Sequence, residues 1–207
     1  MFEALTGAGL AASAGLNAWI PLMSVGLLAR YTHLITLPHG WAWLSNGWVL
    51  LILAILLVIE LVADKIPLVD HVNDMIHTVI RPTAGGIAFG ASSMSQTRTV
   101  TDPGAFFRSH QWVPIAAGVL IALCVHGIKA GARPVVNATT FGIATPFVST
   151  AEDVASLSMS LLAIVVPVVG FLFLLVVLLF FAALWRRRRR RKAALATARA
   201  AAQSGAG

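Results

Sequence analysis

Residues 60–90 read ELVADKIPLVDHVNDMIHTVIRPTAGGIAFG, and apolar segments long enough to cross a bilayer flank them on both sides. A large share of the titratable residues outside the C-terminal tail falls in this stretch. Charge beside hydrocarbon is costly, so a membrane protein keeps such a cluster only where it is paired or used. The titratable residues of the stretch are Glu60, Asp64, Lys65, Asp70, His71, Asp74, His77 and Arg81.

The composition is typical of a polytopic membrane protein. Hydrophobic residues make up 58% of the 207 residues and charged residues 11%, against about 25% charged residues in an average soluble domain. We therefore predict an all-α fold in a single integral-membrane domain, residues 1–185. Because a span needs about 20 apolar residues, four firm transmembrane helices are expected, at about residues 4–29, 47–63, 112–128 and 154–185.

The net charge of +7 comes from one basic run, Arg186 to Lys192. The rest of the chain is near neutral, which argues against nucleic-acid binding. A basic run directly after a span marks the cytoplasmic side and can bind anionic lipid. We predict that residues 186–207 form a basic, largely disordered cytoplasmic tail. An even number of crossings then puts both termini, and residues 60–81, in the cytoplasm.

The first half of the central stretch predicts a short amphipathic helix at the membrane surface. Apolar residues recur at steps of three and four after Pro67. The helix should end near Ile80, because the residue before Pro82 is disfavoured in the α conformation, and Pro82 suits the start of a new helix. Residues 82–94 would reach only about 20 Å. They are expected to form a half-helix or re-entrant segment, or to cross by joining residues 76–80.

A second Arg-Pro segment suggests an internal repeat. RPTAGGIAFGA (81–91) aligns with RPVVNATTFGI (133–143), and segment 134–149 is equally short. The chain has six crossings if both segments cross and four if both re-enter. Paired short, Gly/Pro-interrupted segments point to a transporter site, so we expect the two to meet at a polar cavity. The expected substrate or ion pathway comprises Asn17, Glu60, Asp64, Arg81, Gly85, Gly86, Arg133, Asn137, Thr139 and Thr140.

Asn17 and Pro21 lie in the middle of the first predicted span. They predict a kink there. The amide of Asn17 would either hydrogen-bond to a neighbouring helix, as polar groups in membranes commonly do, or line the pathway.

The acidic and histidine residues of the stretch support more than one chemistry. Carboxylates with imidazole suit a divalent transition metal, and carboxylates alone suit magnesium or calcium. The same groups can relay protons or form a structural network with Lys65 and Arg81. Arg81 and Arg133 could attract anions at helix starts or mark the membrane edge. A divalent cation is the one cofactor considered, with candidate ligands Asp70, His71, Asp74 and His77.

These residues favour a transporter or channel-like protein for a small solute or ion over an enzyme. The chain contains no GxSxG, HExxH or Walker motif, and Cys124, its single cysteine, excludes a zinc-thiolate set. One alternative is a non-catalytic scaffold that docks a partner through an acidic cytoplasmic cap. The other is a membrane-embedded lipid-phosphate enzyme. Membrane lipids are expected partners, and a homo-oligomer or membrane complex fits either class.

Five segments resemble an uncharacterised bacterial integral-membrane family, domain-of-unknown-function family 4126. The resemblance covers nearly the whole chain before the tail and implies a multi-pass protein of the bacterial cytoplasmic (inner) membrane, with no activity to carry over. The segments are GLNAWIPL (15–22), ADKIPLVDHVND (63–74), RPTAGG (81–86), ARPVVNATT (132–140) and STAED (149–153).

Overall fold

The computed structural model describes residues 2–93 and 112–167, with the single positions 110, 175 and 186. The side chains of residues 2, 67–71 and 137 lie outside that description, as does the predicted tail apart from Arg186. The chain divides into two units, residues 1–171 and 172–207, and all the helices described below belong to the first.

The described residues form helices and no strand, which confirms the predicted all-α class. Within them, α5 and α6 are long and apolar enough to cross a membrane. The 3-10 helix and α3 add a third crossing if that pair, bent by 62°, is one span. The elements are α1 (Phe2–Leu16), α2 (Trp19–Tyr31), the 3-10 helix (His39–Ser45), α3 (Gly47–Ala63), α4 (Pro67–Ser92), α5 (Trp112–Thr140) and α6 (Thr145–Val165).

The two Arg-Pro sites do not start helices, contrary to the prediction. Pro82 lies inside α4 and Pro134 lies inside α5. The alternative in which the first segment joins residues 76–80 is the arrangement observed. A proline penalises the α conformation of its neighbour, and here the ion pairs of Arg81 and Arg133, described below, hold both arginines in helix. The second segment divides instead after Thr140, at a turn where Phe141 and Gly142 have positive φ.

α4 and α5 run antiparallel with their backbones in close contact. Gly85 lies against Gly118 and Ala122, and Gly90 lies against Ile115, while Arg81 meets His126 further along. Such small residues allow membrane helices to pack at short distance. Because the helices are antiparallel, residues 82–92 and 134–140 extend in opposite directions.

The predicted first span is two helices, and it breaks at Asn17. The Asn17 side-chain oxygen accepts the backbone N–H groups of Trp19 and Ile20, at 3.1 and 3.3 Å, and so caps the start of α2. Glu3 of α1 and Val25 of α2 line one cavity, which a continuous helix would not allow. α1 and α2 therefore form a hairpin with its tip at Asn17 and Ala18, rather than one kinked span over residues 4–29.

Candidate functional site

Four helices bring eleven ionisable side chains together at the end of the bundle where the hairpin tip lies. Nine of the eleven residues are at most 9% exposed, so the group is an interior feature. We call it the charged cluster. Its members are Glu60 of α3, Asp64 and Lys65 just after α3, Asp74, His77 and Arg81 of α4, His126, Lys129 and Arg133 of α5, and Glu152 and Asp153 of α6.

Arg81 is the centre of the cluster, and its side chain is 0% exposed. Its Nη2 lies 2.9 Å from Glu60 Oε1 and 3.5 Å from Asp64 Oδ2. Its Nη1 lies 3.2 Å from Asp74 Oδ1 and 2.9 Å from His126 Nδ1. The planar guanidinium, always charged, is suited to joining several acceptors in a buried site.

The contact with Arg81 also determines the state of His126. A guanidinium has no acceptor, so His126 Nδ1 must accept the hydrogen bond and carries no proton. The proton of the neutral ring is then on Nε2, which lies 3.2 Å from Thr78 Oγ1. The Thr78 hydroxyl in turn donates to the backbone oxygen of Asp74 at 3.0 Å. His126 therefore adds no charge to the cluster.

Asp64 is the second point of convergence. Its Oδ2 accepts hydrogen bonds from Lys129 and Arg133, both at 3.1 Å, and its Oδ1 accepts one from Asn73 at 2.6 Å. Burial alone would raise the pKa of this carboxyl, but Lys129 and Arg133 outweigh burial and hold the pKa at about 2. Asp64 is therefore ionised. The same two cations also bind Glu152 Oε2, at 3.1 and 2.6 Å.

The hairpin tip is bound directly to the cluster. Lys129 Nζ donates to the Leu16 carbonyl at 3.0 Å, at the C-terminal end of α1. Asn17 Nδ2 donates to Asp153 Oδ1, also at 3.0 Å, at the N-terminal end of α2. A cation thus faces the negative end of one helix dipole and a carboxylate faces the positive end of the other.

A line of buried hydroxyl groups lies between the cluster and the cavity at the opposite end. Ser13 Oγ of α1 lies 2.8 Å from Ser156 Oγ and 2.7 Å from Ser160 Oγ of α6. All three serines are 0% exposed. Beyond them lies a cavity of about 170 Å³, whose lining includes Glu3, Thr6, Thr36, Ser92 and Ile164. We call this row of serines the hydroxyl seam.

Some buried polar atoms of the described residues form no hydrogen bond. Glu60 Oε2, His77 Nδ1 and Asp153 Oδ2 belong to the cluster, and Ser149 Oγ lies one helical turn before Asp153. His77 Nδ1 is 3.5 Å from Glu60 Oε1. The edge of the Trp19 indole faces the His77 ring, with centroids 6.3 Å apart. A buried polar atom without a partner costs about 1–3 kcal/mol, so these atoms are unsatisfied positions at this end of the bundle.

Half of the predicted pathway residues come together. Five of them meet within or beside the cluster: Asn17, Glu60, Asp64, Arg81 and Arg133. Both arginines bind Asp64, which agrees with the prediction that Arg81 and Arg133 share one polar site. The prediction that segments 82–94 and 134–149 meet is wrong. Residues 82–93 and 134–140 leave the cluster in opposite directions, and residues 145–149 lead back to it at Glu152 and Asp153.

The other predicted pathway residues lie elsewhere. Gly85 and Gly86 face α5 at the helix contact, where a Cβ on Gly85 would lie 2.4 Å from the Cβ of Ala122. The Thr139 and Thr140 hydroxyls donate to carbonyls of their own helix. The side chain of Asn137 lies outside the described residues.

The candidate metal ligands are only partly described. Asp74 and His77 face Arg81 and Glu60, while the side chains of Asp70 and His71 lie outside the description. Among the described residues, no group of three or more His, Cys, Asp or Glu side chains is arranged to hold a metal ion.

Sequence reasoning included Arg133 of α5 but missed the other cluster residues of α5 and α6, namely His126, Lys129, Glu152 and Asp153. His126, Lys129 and Arg133 recur at steps of three and four, which places them on one helix face. That spacing was a usable signal. Glu152 and Asp153 were missed for another reason: the pattern of residues 150–153 favours a helix cap that begins at Thr150 and includes both residues. Thr150 lies inside α6, however, and donates to Pro146 O at 2.7 Å.

The two ends of the bundle also correct the predicted topology. Glu3, Ser92 and Ile164 line the cavity at one end, whereas Glu60 and Arg81 lie at the other. The start of α1 and residues 60–81 therefore lie at opposite ends of the bundle, whereas the prediction placed them on one side.

Comparison with known proteins gives one family. No curated protein and no solved structure matches the chain significantly. The model of the family described as "Domain of unknown function (DUF4126)" matches residues 4–187. This match covers most of the chain, including the hairpin and every member of the cluster, and the protein therefore belongs to the DUF4126 family.

Proposed function

We propose that the protein is a membrane transporter or channel-like protein for a small solute or ion, with its site where the hairpin tip meets the charged cluster. The contact of Asn17 and Leu16 with Asp153 and Lys129 carries the proposal. Interrupted helices in membranes expose backbone groups that lipid cannot satisfy. In many transporters, such interruptions lie at the substrate or ion site. Here the interruption is at Asn17, not at the Arg-Pro segments.

The hydroxyl seam supports this proposal, because it extends the polar surface from the cluster towards the cavity. Transport requires polar groups over most of the membrane thickness. α1 supplies Thr6, Ser13 and Asn17 at steps of seven and four, so they share one helix face. The seam is fully buried, which corresponds to a closed state that must open for a solute to pass.

The acidic cap required by the scaffold alternative is not favoured by the geometry. Asp64 and Asp74 are buried and bound to Arg81, Lys129 and Arg133. A docking partner would have to displace these cations. A lipid-phosphate enzyme would need the same carboxylates free for its substrate.

We further propose that the protein resides in the bacterial cytoplasmic membrane, with anionic lipid at Arg186 to Lys192 and both termini in the cytoplasm. The charged cluster then lies towards the opposite face of the membrane. Cysteines placed at Glu3 and after Lys192, in a Cys124→Ser background, should resist an impermeant maleimide on intact cells and react after permeabilisation. Labelling of either site on intact cells would contradict this orientation.

Reconstitution into liposomes tests transport directly. The probes are H⁺, Na⁺ and K⁺, followed with entrapped indicator dyes, and urea and glycerol, followed by osmotic swelling. The wild type should carry at least one of them above empty liposomes. Asn17→Leu and Asp153→Asn should each slow that flux by about tenfold or more, the effect of losing a charge-assisted hydrogen bond.

Thr83→Val is the matched control. Thr83 is exposed and its hydroxyl bonds its own helix, so this variant should carry the probe at the wild-type rate. Absence of flux for every probe, or equal flux in Asn17→Leu and the wild type, would overturn the proposal.

A further inference from the structure

We propose that Glu60 is a proton-binding site, in which the Glu60 carboxyl takes up one proton from water and His77 Nδ1 is the neighbouring base that accepts its hydrogen bond. The inference deepens the proposed function and rests on it in one respect: it makes the proton the ion that the cluster exchanges. Proton binding itself requires no transport and is tested separately.

The unpartnered atoms of the Glu60–His77 pair are the first argument. The two side chains are 1% and 5% exposed. Glu60 Oε1 accepts from Arg81, but Oε2 is buried with no hydrogen bond, and His77 Nδ1 also has none. When the ring proton of His77 is on Nε2, an ionised Glu60 carboxylate facing Nδ1 is a contact between two acceptors. One proton on the carboxyl supplies the missing donor and removes a buried charge.

The charge balance of the cluster is the second argument. Among its described members, five carboxylates face four cations. His126 is neutral because it accepts from Arg81, and His77 is neutral in its proposed role as acceptor. One negative charge is therefore in excess in a site where uncompensated charge is strongly destabilising. A single proton restores neutrality. The carboxylates are Glu60, Asp64, Asp74, Glu152 and Asp153, and the cations are Lys65, Arg81, Lys129 and Arg133.

Each of the other carboxylates lacks at least one of the features that distinguish Glu60. Asp64 and Glu152 each bind both Lys129 and Arg133. Asp74 has Arg81, and it lies nearer the surface, with its side chain 12% exposed. Asp153 Oδ2 lacks a hydrogen bond, but Lys65 Nζ is 3.7 Å away. Glu60 alone among the described members combines almost complete burial, a free oxygen and an adjacent base.

A proton fits this position better than a metal ion. Cations such as Ca²⁺ require six to eight oxygen ligands. The described residues around Glu60 contain no group of three metal-ligating side chains. Arg81, 2.9 Å from Glu60, opposes the binding of any cation, including a proton, but a proton forms a covalent bond with one oxygen and needs no set of ligands.

Infrared difference spectroscopy of the full chain in lipid nanodiscs tests the site without any transport assay. As the pH falls, the wild type should gain the carbonyl-stretch band of one protonated carboxyl. Glu60→Gln should lose that band. His77→Phe should move it to higher frequency, because the carboxyl loses its hydrogen-bond acceptor. His33→Gln, which changes an exposed histidine outside the cluster, should leave it unchanged.

Several outcomes would overturn the inference: no titrating carboxyl band in the wild type, a band of full amplitude in Glu60→Gln, or loss of the band in Asp153→Asn instead. If Glu60→Gln does not fold, an unshifted band in His77→Phe would likewise overturn it. A Glu60-dependent band in a protein without flux would keep the proton site and reject transport. Flux without such a band would keep transport and reject the proton site.

Discussion

Replacing Arg81 with leucine should remove most of the folded protein from the membrane. The guanidinium is fully buried and joins Glu60, Asp64 and Asp74. Without it, these carboxylates lose their common cation in a site closed to water. Removing one partner of a buried ion pair costs about 3–5 kcal/mol, a large part of the stability of a typical domain. Thermal unfolding in detergent, followed by circular dichroism, would show the loss.

A matched surface variant and a compensated variant make this test specific. Arg30 donates to the Ser45 carbonyl at an exposed site, so Arg30→Leu should change stability by less than about 1 kcal/mol. Adding Glu60→Gln and Asp74→Asn to Arg81→Leu should restore part of the loss, because fewer uncompensated charges remain. If Arg81→Leu had the same melting temperature as the wild type, these ion pairs would contribute nothing to stability.

Gly118→Leu should separate α4 from α5. A Cβ on Gly118 would lie 2.3 Å from the backbone oxygen of Gly85 and 2.6 Å from the Cβ of Phe89. Neither neighbour is the end of a flexible side chain, so the helices must move apart. Overpacking of a well-packed core costs about 1–3 kcal/mol, and leucine adds three carbons beyond the clashing one. We expect the cost to reach or exceed the top of this range.

Gly127 of the same helix is the control, because nothing lies within 4 Å of a Cβ built there. Gly127→Leu should leave stability unchanged or raise it by up to about 1 kcal/mol through helix propensity. Parallel unfolding curves of the two variants test the prediction. Equal melting temperatures would mean that the contact between α4 and α5 is not tight.

Composition and helical periodicity were sufficient for the class of fold and part of the site. The all-α class follows from apolar segments of spanning length. The association of Glu60, Asp64 and Arg81 could be inferred because ionisable groups in a membrane protein must find partners. Arg133 was placed with them for the wrong reason, through a repeat whose two copies diverge.

The errors have a common physical cause: local rules were overridden by tertiary contacts. Pro82 and Pro134 favour a helix start locally. The buried contacts of Arg81 and Arg133 hold both helices continuous through these positions. At Asn17 the reverse happens, because its side chain replaces a helical hydrogen bond with a cap and a bond to Asp153. No pattern within residues 4–29 identifies Asp153 as the partner.

The hairpin tip also has a consequence for the order of biosynthesis. Leu16 and Asn17 find their partners in Lys129 and Asp153, which lie 113 and 136 positions from them in the sequence. A ribosome makes the hairpin long before it makes those partners. Until α5 and α6 have emerged, the tip lacks both of these partners. The contacts of the hairpin tip are therefore completed only after α6 has been made, and a nascent chain that ends before α6 leaves Asn17 without Asp153.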